Sequence, residues 1–121
     1  MANVDDVEIV AGAADIDEVA RTVASVLDDL PVLTDPKRGI PYVLVEPYAQ
    51  VTFYPDNDNA GAFIAEVYAG TGAAVRREIA LGIFDALSKR TRWDLRLTSD
   101  DQPGDGVVAE RLVSAVGRSA P

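Results

Sequence analysis

Histidine and cysteine are both absent from this 121-residue chain, and lysine occurs only at Lys37 and Lys89. Without cysteine there is no disulfide, no thiolate nucleophile and no sulfur ligand for zinc. Without histidine there is no Ser-His-Asp triad, and the side chain that most often moves protons near neutral pH is missing. Catalysis would fall to carboxylates, tyrosines or the two lysines, and carboxylates could still hold magnesium or calcium. No apolar run approaches the roughly 18 residues of a membrane span. The opening MANVDDVEIV is acidic where a secretory signal is basic and then apolar. These absences predict a cytoplasmic, non-enzymatic protein with no catalytic residues, metal or cofactor.

Negative charge is abundant, at a net −9. Residues 1–36 carry nine acids and one base, Arg21, for −8, and residues 37–121 carry eleven acids and ten bases, for −1. Binding to nucleic acid or an anionic membrane depends on lysine and arginine replacing counterions, so neither is expected as a partner. The field favours a basic protein partner and speeds encounter with it. Acidic surface also simply keeps a chain soluble. Nine arginines against two lysines are a compositional hint of a GC-rich genome.

No repeat, linker or low-complexity stretch divides the chain, so residues 1–121 are expected to form one domain. A short strand is predicted at Val7–Val10. Asp15 and Glu18 form a capping box, after which Ile16, Val19, Ala20, Val23, Leu27 and Leu30 recur at helical spacing up to Pro31. YVLVEPY, QVTFYP and GAFIAEVYAG alternate as three strands of an antiparallel meander. A helix over 73–90, capped by Thr71, would cross over to a strand in RWDLRLTS lying parallel to the third. Val108, Leu112 and Val116 suggest a final helix ended by Gly117, with Asp105 as its cap. The expected fold is α+β: a two-layer sandwich, its mostly antiparallel sheet of four to five strands, with helices packed on one face, in the order (β)αβββαβα.

PDNDNAG, residues 55–61, places Asp56, Asp58 and Gly61 on three positions of a calcium loop. Ala60 and Val67 stand where two oxygen ligands belong, Glu66 arrives one residue early, and the flanks are strands. The stretch therefore reads as a hairpin turn. The second acidic loop, with Asp100, Asp101 and Asp105, is predicted at the opposite end of the sheet. Gly70 and Gly72 before a helix, with Arg76 and Arg77 inside it, offer a faint anion-binding arrangement. Arginines there are more often merely exposed, slightly against the helix dipole.

The sheet faces are more informative. If Val43, Val51, Phe53, Ala65, Val67, Leu95 and Leu97 face the helices, the other face carries a mixture of tyrosines, aliphatics and charges. Tyr42, Leu44, Glu46, Tyr54, Ile64, Glu66, Tyr68 and Arg96 are the candidate protein-binding residues, since such mixtures are typical of protein interfaces. Scattered exposed apolar residues, or burial of this face by the C-terminal helix, would read the same way.

No family motif is matched residue by residue. At the level of fold order and charge, the chain resembles the immunity and antitoxin proteins that cover basic nuclease toxins. The αβββαβα order is also similar to that of acidic, dimeric chaperones of secreted effectors. Both likenesses imply a binding module. The leading expectation is a small acidic module for a basic partner. The alternative is a homodimer built on the sheet face, chaperone-like or holding a small ligand, and a carboxylate-metal enzyme ranks behind both.

Overall fold

Alternation governs most of this chain. In AQVTFYP, the residues Ala49, Val51 and Phe53 are buried, while Gln50, Thr52 and Tyr54 project to the other side. That is the period-2 signature of a strand with one face on a core. The computed structural model describes residues 3–46 and 48–113. Its strands are β1 (Asp5–Ala11), β2 (Leu33–Thr34), β3 (Pro41–Val45), β4 (Ala49–Pro55), β5 (Phe63–Ala69), β6 (Asp94–Ser99) and β7 (Val107–Arg111). The helices are α1 (Ile16–Val26) and α2 (Ala73–Arg90).

All seven strands belong to one open sheet in the order β2-β3-β4-β5-β1-β6-β7, and each neighbouring pair is antiparallel. This overturns the expected sandwich with four to five strands. Three features account for the difference. β1 is seven residues long and lies inside the sheet, between β5 and β6. β6 therefore runs in the same direction as β5 without touching it, and α2 crosses over β1 in a split β-α-β arrangement. The expected final helix is replaced, over the described residues, by β7. Its first two residues are β-branched valines, Ser99 N–H donates to Gly106 O at 2.9 Å, and Asp105 accepts from Val107 N–H at 3.0 Å to open the strand. Asp105 thus caps a turn and no helix; Val116 and Gly117 lie outside the described residues. Finally, β2 adds a two-residue edge to β3.

Both helices lie on one face. α1 packs on β3, β4 and β5, and α2 on β5, β1 and β6. Between them and the sheet, Val7, Ile9, Val19, Val23, Val51, Phe53, Val67, Ile83, Leu87 and Leu95 are fully buried. Asp15 starts α1 by accepting from Glu18 N–H at 2.8 Å, and Glu18 reaches back to Ala14 N–H at 2.9 Å. α1 stops at Val26, short of the predicted Leu30, because Asp28 and Asp29 both take left-handed backbone (φ 59° and 55°). α2 begins at Gly72, with no side-chain cap from Thr71. At its other end Arg111 donates to Ser88 O and Thr91 O, both at 2.8 Å, a cation where the helix dipole favours one. Among the described residues no helix is long and apolar enough to cross a membrane.

Candidate functional site

Both helices pack on one side of the sheet, and register fixes what the face away from them displays. One cross-strand row runs Leu44–Gln50–Tyr68. The next runs Tyr42–Thr52–Glu66–Asp6–Thr98. The third runs Tyr54–Ile64–Glu8–Arg96–Glu110. Directly opposed side chains in an antiparallel pair stand roughly 4.5–5.5 Å apart at Cβ. Each row is thus a line of touching neighbours.

The middle row brings two carboxylates, Asp6 and Glu66, face to face. Like charges so placed repel. Asp6 Oδ1 is buried and has no hydrogen-bond partner among the described residues. Burial raises the Asp6 carboxyl to about 7, helped by the negative charges of Glu66, Glu8, Asp100 and Asp5. Burial also pushes the Tyr54 hydroxyl well above its ordinary value, and its hydrogen bond to Glu66 adds to the shift. Glu8 is raised by burial, against the lowering influence of Arg96. Arg96 sits between Glu8 (3.7 Å) and Glu110 (2.9 Å). The centre of the face thus holds Asp6, Glu8, Glu66 and Glu110 beside the cation Arg96.

One end of the face is aromatic. Leu44 is 50% exposed and Tyr68 41%. Tyr48, in the turn between β3 and β4, is 80% exposed and holds φ at +63°. Gly70 donates to Tyr48 O at 2.8 Å, and a Cβ at Gly70 would lie 3.6 Å from both Tyr48 Cβ and the Tyr68 hydroxyl. The two tyrosines therefore flank the same point. A bulky residue at positive φ is a backbone outlier; here the Gly70 hydrogen bond holds the Tyr48 carbonyl while its ring stands in solvent.

Of the residues singled out from sequence, Tyr42, Leu44, Tyr54, Ile64, Glu66, Tyr68 and Arg96 share this face. Glu46 does not. β3 ends at Val45, and Glu46 turns to the helix side, lining a groove with Val26, Leu27 and Glu78. Sequence reading missed Tyr48, which a turn assignment hid, and also Asp6 and Glu8. Their alternation with Val7 and Ile9 was the available signal.

PDNDNAG is a turn: Asp56 N–H donates to Ala62 O at 2.9 Å, and Gly61 takes φ +82°. The Asp56 carboxylate accepts from Asp58 N–H (2.9 Å) and Asn59 Nδ2 (3.2 Å), which holds it below the usual carboxylate range. No carboxylate cluster able to hold a metal ion is found among the described residues. The two arginines at the start of α2 form no anion site. Arg76 pairs with Asp5 at 3.0 Å and with Asp101, and donates to Asn3 O; Arg77 pairs with Asp5 at 2.8 Å. Comparison with protein families, with curated proteins and with solved structures finds no match in any of the three.

Proposed function

We propose that the chain is a small acidic protein-binding module, non-enzymatic and cytoplasmic, which takes a basic protein partner on the sheet face opposite the helices. The observation that carries this reading is Tyr48, held at φ +63° and 80% exposed beside Tyr68 and Leu44. Its left-handed backbone holds an exposed aromatic ring in solvent, which fits a residue kept for an external contact. Tyrosine is also prominent among the residues that anchor interfaces. The acidic centre beside it supplies steering and complementarity towards a cationic surface. Size agrees: six strands of five to seven residues, about 4.8 Å apart and extended by the two-residue β2, make a face of roughly 25–30 by 20 Å. That approaches the ~800 Å² each partner contributes to a standard interface.

The test is co-purification from native lysate at low salt, with the partner identified by mass spectrometry, using wild type, Tyr48→Gly and Glu66→Gln. A stoichiometric basic partner is expected, bound at least tenfold more weakly by Tyr48→Gly and released as salt rises. Glycine relieves the positive φ, so this variant should melt no lower than wild type. No stoichiometric partner, or equal binding by both variants, overturns the reading. A concentration-independent dimer that Tyr48→Gly dissociates would assign the same face to self-association.

A further inference from the structure

We infer that the cleft between the Asp35–Gly39 turn and the outer face of β3 and β4 binds a small molecule with a flat apolar body and an anionic group, the anion resting on Lys37. The cleft encloses about 440 Å³, within the range of small-molecule sites. Its floor is the side of the sheet away from the helices: Tyr42 and Leu44 from β3, Gln50 and Thr52 from β4. Leu44 is exposed there, and Gln50 Nε2 donates to Thr52 Oγ1 at 3.0 Å. An apolar surface with a few fixed polar groups suits a planar ligand.

The wall is preorganised. Asp35 accepts at its carboxylate from Lys37 N–H (2.8 Å), Arg38 N–H (3.2 Å) and Arg38 Nε (3.3 Å). Gly39 N–H closes the turn on Asp35 O at 2.8 Å, and Asp35 N–H ties it to Ile40 O at 2.9 Å. The only carboxylate of the cleft is thus occupied by three donors, and the Lys37 N–H first among them holds it below its ordinary range. Lys37 has no ion-pair partner among the described residues, and Arg38 engages Asp35 through Nε alone. Two cations therefore overlook one concavity, on a chain whose net charge is −9.

Two other clefts lack this arrangement. Beside Glu8 and Asp56 the lining cation is Arg96, already held by Glu110 and Glu8. The groove of Val26, Leu27 and Ile79 carries Glu46 and Glu78 and no cation. Charge complementarity thus selects the Lys37 cleft for an anion. The cleft shares Tyr42 and Leu44 with the face read as protein-binding, but the inference rests on Lys37, Arg38 and the occupied Asp35 and survives the failure of that reading.

The test is an NMR titration of the isotopically labelled full chain with 1-naphthoate, and with 1-naphthylmethylammonium as the control of opposite charge. Naphthoate should shift the amide signals of residues 37–40, 42–44 and 50–52 saturably, and the cation should not. Lys37→Gln should weaken naphthoate roughly twofold to fivefold, the scale of one exposed charge pair. Leu44→Glu, which places a carboxylate on the floor, should abolish binding. Both replaced side chains are exposed, and unchanged spectra outside the cleft would show that the fold is intact. Shifts spread over other faces, equal response to both probes, or full affinity in Lys37→Gln would each overturn the inference.

Discussion

Asp5 and Asp6 are consecutive residues of β1, yet the two sides of the sheet treat their carboxylates in opposite ways. Asp5 points to the helix side, is 0% exposed, and meets Arg76 and Arg77 from the first turns of α2. Asp6 points to the side away from the helices, meets Glu66, and keeps one buried oxygen without a partner among the described residues. In the first case burial is compensated by two guanidinium groups, and those groups are themselves relieved of an unfavourable position near a helix N-terminus. In the second, burial is uncompensated and the carboxyl retains its proton to about pH 7. Charge location, rather than net charge, separates a compensated buried carboxylate from an uncompensated one.

The largest expected effect comes from breaking the fastening. Asp5→Asn leaves Arg76 and Arg77 without their shared carboxylate inside the fold, and removing one partner of a buried pair typically costs roughly 3–5 kcal/mol. Urea denaturation at pH 7 measures it. A loss below about 1 kcal/mol would mean that Asp101 alone suffices for Arg76, and the contrast with Asp6 would collapse.

Asp6→Asn acts with the opposite sign. A carboxyl whose pKa is raised on folding binds its proton more tightly in the folded state. Stability therefore falls as pH rises from about 4 to about 7, then levels off. Removing the titration should stabilise the protein at pH 8, on the order of 1–2 kcal/mol once solvent screening is allowed for, and leave it unchanged near pH 4. Denaturation curves at both pH values check this, and a carboxyl ¹³C titration of Asp6 should show a midpoint near 7. An equal effect at both pH values would show packing, not charge, to be responsible. The smallest change is expected for Glu110→Gln, which loosens an exposed pair with Arg96. It should cost less than about 1 kcal/mol, and less still in high salt.

Sequence alone exposed the local features well. The capping box of α1 needs only Asp15 and Glu18, and the meander of β3, β4 and β5 follows from alternation joined by short turns. What stayed hidden was long-range. Nothing in DDVEIVA says that it lies between β5 and β6, and Arg76 stands 71 residues from the Asp5 that neutralises it. β7 was read as a helix because Val108, Leu112 and Val116 happen to fall four residues apart, while pairing with β6 decided otherwise. Of the candidate surface, the strand residues were legible and Tyr48 was not, because its importance lies in a backbone angle. Glu46 was misplaced when alternation was carried one residue past the end of its strand.

The interior position of β1 also bears on how the protein is made. β1 is synthesised before the other strands of this sheet, yet its two neighbours are completed only at Ala69 and Ser99. During translation its apolar edge residues Val7 and Ile9 have no sheet to join, and the meander of β3, β4 and β5 can form while β1 still waits. The nascent chain therefore carries an unpaired strand for most of its elongation. The carboxylates of Asp6 and Glu8, close on one face of the finished sheet, are charges of the kind that discourage such an unpaired strand from pairing with other chains.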